Sequence, residues 1–163
     1  MKNLLLILSL SLLTLGSFAQ KTYKYYNPEA NAKTDLKKAI TKADAENKHV
    51  FVIIGGNWCP WCIKFSKYIE QETEIKNLLE KEYVIIKVNY SKENKNMDVL
   101  EDLQYPNRFG FPVFVILDKD GKKIHTQDSG YLEKDKGYDK AKVSRMLKNW
   151  TTTALDPETY KKK

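Results

Sequence analysis

The chain has 163 residues, 42% hydrophobic and 12% aromatic, enough for one packed domain and too little for two comfortable ones. With 30% charged residues, seven Gly and five Pro, it is neither collagen-like nor low-complexity nor wholly disordered. The net charge of +7 is almost all lysine, because Arg108 and Arg145 are the two arginines, and lysine lacks the planar fork that suits base edges. The lysines are spread without an aromatic stripe, so a solvated basic surface is expected and no nucleic-acid partner.

Residues 1–19 read as an export signal. Lys2 and the amino group give the positive start, Leu4–Leu15 the apolar run, and Ser17 and Ala19 the small residues that a signal peptidase needs, with cleavage after Ala19. As a helix the run would reach about 18 Å, short of the roughly 30 Å hydrocarbon core. The bacterial periplasm is the expected location, with secretion as the second choice, because no endoplasmic-reticulum retention tail closes the chain. Residues 20–33 form a polar, tyrosine-rich arm with a short edge strand at Tyr23–Tyr26. A domain spans 34–152, and 153–163 is a solvated tail.

Within the domain, Leu36, Ala39, Ile40 and Ala43 recur at helical spacing between Thr34 and Asn47, with Thr34 or Asn31 as cap. His49–Ile54 is a continuous apolar run of strand length, ended by Gly55, Gly56 and Asn57. Pro60 opens a helix carrying Ile63, Phe65, Tyr68 and Ile69, and a second helical stretch lies near Ile75–Glu80. Tyr83–Asn89 is another buried strand. Met97–Tyr105 is a short helix stopped by Pro106, and Phe111–Leu117 is a third strand. Asp118–Gly121 turns the chain into a return strand, Lys122–Gln127, and Tyr138–Trp150 is the last helix. Strands separated by helices imply parallel crossovers, and the hairpin adds an antiparallel edge. The expected fold is an α/β three-layer sandwich, a mixed central sheet with helices on both faces.

Cys59 and Cys62 are the two cysteines, three apart, between a strand and a helix. In an oxidising compartment thiols pair unless a partner keeps them reduced. A bridge closing so short a loop stabilises little, so a purely structural staple is a poor explanation. Trp58-Cys59-Pro60-Trp61-Cys62, with Gly110-Phe111-Pro112 at the third strand and Gly130 before the last helix, resembles the thioredoxin superfamily over nearly the whole mature chain. The stretch from Trp58 to Asn89, with Glu72-Thr73, is most similar to secreted thioredoxin-like proteins with a WCxWC motif.

That resemblance implies an exported thiol–disulfide oxidoreductase in which Cys59 attacks, Cys62 resolves and the Cys59–Cys62 disulfide is the redox centre, with no other cofactor and no metal. The physics agrees: Cys59 would stand at a helix N-terminus, where unpaired N–H groups and the macrodipole favour a thiolate. Pro112 would be cis and face the pair, and Phe111 would offer its backbone to an extended substrate. Trp58, Trp61 and Phe111 would form an apolar rim. Protein thiols and disulfides are the implied substrates, a membrane or soluble redox partner recharges the pair, and the protein is a monomer.

Two positions depart from the family. Where thioredoxins carry a buried acid, six residues before the first cysteine, this chain has Ile53. Lys87, which matches the lysine beside that acid, is expected to turn its head to solvent; buried instead, it would have a depressed pKa and could accept the Cys62 proton. The Pro60-Trp61 dipeptide brings no imidazole to stabilise a thiolate, and Pro60 removes one N–H, which points to a mild oxidant.

The rivals are weaker. Zinc would need His49 and His125, which start a strand and sit in a hairpin and are read as surface residues. Covalent haem would need a histidine where Ile63 stands. A glutaredoxin-like, glutathione-dependent reductase shares the Cys-Pro-aromatic-Cys pattern but not Trp58 or the Phe-Pro-Val loop. A non-catalytic peptide-binding or chaperone module on the same fold is the alternative of another class.

Overall fold

Alternation along three apolar strands feeds two separate cores, one on each face of a sheet. The structure, a computed structural model, describes residues 25–161. The export signal expected over 1–19 and the first part of the arm lie outside the described residues.

Helix α1 (Ala32–Glu46) begins two residues before Thr34, because Asn31 is the cap and its Oδ1 accepts the Thr34 N–H at 2.9 Å. It ends at Asn47, whose φ of 50° turns the chain into β1 (His49–Gly55). Next come α2 (Pro60–Gln71), α3 (Thr73–Glu82) and β2 (Tyr83–Asn89). Strands β1 and β2 pair in parallel, with Ile53 opposite Lys87. Helix α4 (Met97–Asp102) is shorter than expected, since Gln104 and Tyr105 take φ values of 63° and 53° and break the helical path. A 3₁₀ turn at Pro106–Phe109 leads to β3 (Val113–Leu117).

Strand β3 corrects the expectation of parallel crossovers. It pairs antiparallel with β1, Val113 opposite Ile54 and Leu117 opposite Val50. The six-residue α4 covers only about 9 Å and does not run the length of the sheet. The chain re-enters at the end where β2 left it. Strand β4 (Lys123–Asp128) returns antiparallel to β3 and completes the order β2-β1-β3-β4.

A small hairpin that the sequence reading did not register, β5 (Glu133–Lys134) with β6 (Gly137–Tyr138), takes the first residue of the last expected helix. That helix, α5 (Lys140–Asn149), starts instead at Asp139, whose Oδ1 accepts the Lys142 N–H at 3.0 Å. The described part of the expected solvated tail is largely exposed but folds into two helical turns, α6 (Thr152–Leu155) and α7 (Glu158–Lys161).

Every residue of β1 and β3 is buried. Phe51, Ile53, Phe114 and Ile116 pack against Cys62, Phe65 and Ile69 of α2, Ile75 and Leu79 of α3, and Val143 and Leu147 of α5. Val50, Val52, Ile54, Val113 and Val115 face the other way, onto Leu36 and Ala43 of α1 and Val99 and Leu100 of α4. This is the expected three-layer sandwich.

The histidines are not surface residues. His49 is 5% exposed, because it opens a central strand, and its Nδ1 lies 2.7 Å from the Trp150 carbonyl oxygen. His125 is half-buried and stacks on the Trp150 ring at 4.4 Å, with Nε2 3.2 Å from Gln127 Oε1. Burial holds the His125 pKa below the ordinary imidazole value, and the Gln127 contact opposes this. The unfolded chain therefore binds that proton more tightly. Stability falls as pH drops through the ordinary value, about 6.5, and the loss is complete below the folded value. Melting curves at about pH 7.5 and about pH 5 should show a smaller acid-induced drop for His125→Gln than for the parent.

Candidate active site

Strand β1 ends at Gly55, and Cys59 then caps α2. Cys59 has extended backbone angles, its Sγ accepts the Cys62 N–H at 3.1 Å, and Pro60 takes the first helical position, where no intrahelical hydrogen bond is lost. The first turn of α2 holds no acidic residue, so nothing local opposes the positive end of the helix dipole at this sulfur. Cys59 and Cys62 are joined as a disulfide with Cα atoms 5.2 Å apart. Cys59 is 4% exposed and Cys62 fully buried, so an incoming sulfur meets Cys59.

The Phe111–Pro112 peptide bond is cis, and the Phe111 carbonyl oxygen stands 3.6 Å from Cys59 Sγ. The antiparallel entry of β3 brings this corner to the end of β1 where the disulfide sits. Trp58 is 56% exposed, its Nε1 donates to the Tyr90 carbonyl at 2.6 Å, and its ring meets Phe111 edge-on at 5.6 Å. Phe111 in turn stacks on Tyr90 at 4.7 Å. A groove of about 490 Å³, lined by Pro28, Trp58, Tyr90 and Lys92 among others, runs on from this aromatic group.

Trp61 does not join that group. Its ring meets Tyr138 edge-on at 5.6 Å, its carbonyl accepts from Tyr138 Oη at 3.3 Å, and the Lys64 ammonium lies 3.8 Å above it. Of the three expected rim residues, the structure brings Trp58 and Phe111 into contact and packs Trp61 elsewhere.

Lys87 takes neither of its two expected positions fully. It is half-buried, with its ammonium 4.0 Å from Glu70 Oε1 and 4.6 Å from the Tyr25 ring centroid. Burial lowers its pKa, and Glu70 counters the effect. The register partner of Ile53 thus directs its charge toward α2's outer edge.

Three further residues stand at the site without having been singled out. Asn57 Oδ1 accepts the Tyr25 N–H at 2.9 Å and the Tyr26 N–H at 3.1 Å, while its Nδ2 donates to the Tyr26 carbonyl at 2.7 Å. With these backbone groups engaged, Tyr25 and Tyr26 form no edge strand. The clasp delivers Tyr26 into the core, 1% exposed, beside the fully buried Cys62 and Ser66. Ser66 had a signal, since it follows Cys62 by four residues and shares its helix face. Tyr26 had none. Asn57→Ala is expected to lower stability by about 1–3 kcal/mol, because it leaves backbone groups of the arm unpaired; urea unfolding of the two proteins checks it.

Among the described residues no group of three or more His, Cys, Asp or Glu could hold a metal ion, and no helix is long and apolar enough to cross a membrane. A family model described as a thioredoxin-like domain matches residues 36–141. The chain is 28% identical over 96 residues to the disulfide bond reductase DsbH of Chlamydia pneumoniae, a match covering 53% of this chain and 56% of that protein. It thus spans little more than half of that relative's length. Among solved structures it is similar to a disulphide isomerase from Xylella fastidiosa Temecula1, with a TM-score of 0.69 and 22% identity over 78% of this chain and 96% of that one. A structure described as DsbH oxidoreductase aligns with a TM-score of 0.54 and 22% identity over 82% and 90% of the two chains. At such identities the structural likeness concerns the fold.

Proposed function

The chain belongs to the family of thioredoxin-like domains, and on that premise we propose that it is an exported thiol–disulfide oxidoreductase acting on protein substrates through Cys59 and Cys62. One observation carries the reading: a near-surface sulfur caps α2 beside the Phe111 carbonyl while its disulfide partner is fully buried. The order of attack follows from that difference in access.

In the reducing direction the Cys59 thiolate attacks one sulfur of a substrate disulfide, and the other leaves as a thiolate that takes up a proton. Cys62 then loses its proton and attacks Cys59 Sγ. The Cys59–Cys62 bond forms, the bond to substrate breaks, and the second substrate sulfur leaves and is protonated. Two electrons pass from the cysteine pair to the substrate, and the reverse sequence oxidises a dithiol. The cis Phe111–Pro112 corner presents backbone to an extended segment, and Trp58 with Phe111 and Tyr90 gives it an apolar wall. Lys87, whose ammonium lies at Glu70, would need both to lose its own proton and to swing away from that partner before it could take the Cys62 proton.

Export rests on the apolar run Leu4–Leu15 followed by Ser17 and Ala19, and the periplasm supplies both oxidised protein substrates and a redox partner that recharges the pair. Direction follows from the reduction potential. A value near about −270 mV fits a reductase fed by an electron carrier, and one near about −120 mV an oxidant.

In an insulin disulfide-exchange assay Cys59→Ser is expected to fall to background. Cys62→Ser should retain the attack and accumulate substrates as mixed disulfides on Cys59, visible on non-reducing gels. No exchange by the parent protein, with binding of unfolded chains that survives Cys59→Ser, would leave only the peptide-binding reading.

A further inference from the structure

We propose that the Tyr26 hydroxyl, backed by Ser66, is the hydrogen-bond donor that receives the Cys62 sulfur when it becomes a thiolate, the task for which no carboxylate is present at Ile53. This deepens the oxidoreductase reading and rests on it. Gly55 reveals the juxtaposition: a Cβ there would stand 2.6 Å from Cys62 Sγ and 2.9 Å from Tyr26 Oη. The missing side chain opens one small pocket at the end of β1 that sulfur and phenol share.

Among the described residues, the two hydroxyls of this pocket lie beside each other and beside no other polar partner. Tyr26 is 1% exposed and Ser66 fully buried, and neither Tyr26 Oη nor Ser66 Oγ has a well-formed hydrogen bond to any other group. A buried hydroxyl without a partner is unfavourable, and native proteins rarely keep one without a use. The sulfur of a disulfide is a weak acceptor. A thiolate is a strong one. With the pair oxidised, the two hydroxyls thus have no acceptor but each other, and they are matched to the charge that appears when Cys62 is about to attack.

The neighbours leave this task to them. Strand β1 contributes apolar Ile53 and Gly55 to the region. Tyr138 already donates to the Trp61 carbonyl, and Lys87 has its ammonium at Glu70 and the Tyr25 ring. Burial pushes the Tyr26 phenol well above its ordinary value, so it stays protonated and serves as a donor, never as the base. The proton that leaves Cys62 goes to solvent, and the expelled substrate thiolate takes one up. Tyr26 keeps its own.

The test uses the full mature chain. In a Cys59→Ser background the Cys62 thiol is titrated by thiolate absorbance, with and without Tyr26→Phe. The expected result is a rise of about one pH unit in the Cys62 pKa when the hydroxyl is removed. With Cys59 intact and loaded with a small aromatic thiol as a mixed disulfide, release of that thiol should slow about threefold at neutral pH in Tyr26→Phe and recover at alkaline pH, since the smaller thiolate fraction is partly offset by a more nucleophilic sulfur. An unchanged Cys62 pKa overturns the proposal. Should Tyr26→Phe fail to fold, Ser66→Ala decides in the same assay: a smaller rise supports it and no rise overturns it. A packing role alone would lower the melting temperature of the oxidised protein without moving the thiol titration. Because that titration needs no substrate, it separates this inference from the oxidoreductase reading, which falls if the parent protein exchanges with no protein disulfide.

Discussion

The hydrogen bond from the Cys62 N–H to Cys59 Sγ ties the site together, because it makes one sulfur both the cap of α2 and the reacting atom. An N-cap interaction contributes about 1 kcal/mol, and a charge at a helix N-terminus adds a further 0.3–1 kcal/mol at exposed sites. The part that acts on charge alone, about 0.3–1 kcal/mol, amounts to roughly 0.2–0.7 pH unit in favour of the thiolate. The effect requires α2 to be immobile, and Phe65 and Ile69 supply that by packing beneath Phe51 and Phe114 of the sheet. Reactivity at the head of the helix therefore depends on burial along its length.

The direction of β3 is the second requirement. Were β3 parallel to β1, its first residues would lie at the far end of the sheet, beside His49 rather than Gly55. Antiparallel pairing places Val113 opposite Ile54 and carries the Phe111–Pro112 corner to the disulfide. The connection from β2 to β3, with the short α4 within it, leaves and re-enters the sheet at the same end.

Strand and helix positions were legible because apolar runs and breakers are local signals. Tyr83–Asn89 has its expected bounds, and α2 starts at Pro60. The cysteine pair was legible from spacing, and the cis corner from the likeness of Gly110-Phe111-Pro112 to a family motif. Strand direction was not, since an apolar run reads the same both ways. His49 was misjudged because a histidine at a strand start gives no sign of what packs over it, here the Trp150 carbonyl. Trp61 follows Pro60 inside the motif, yet its direction is set by Tyr138, a residue far along the chain. Asn57 looked like ordinary turn chemistry, and only the folded arm shows what its amide holds.

The arm bears on the redox chemistry through both sulfurs. Helix α2 stabilises charge on Cys59, and the Tyr26 and Ser66 hydroxyls stabilise it on Cys62. Each favours the reduced pair over the disulfide, so each moves the potential toward the oxidant side. The absence of a buried carboxylate at Ile53 acts in the same sense, since a negative group there would repel a second charge. Against them stand the Pro60-Trp61 dipeptide, which brings no cation, and Pro60, which removes one donor from the helix end. The poise of the pair is then a balance between groups acting on different sulfurs. Residues 25 and 26, held by one asparagine, belong to the thioredoxin-like domain as fully as the cysteines do.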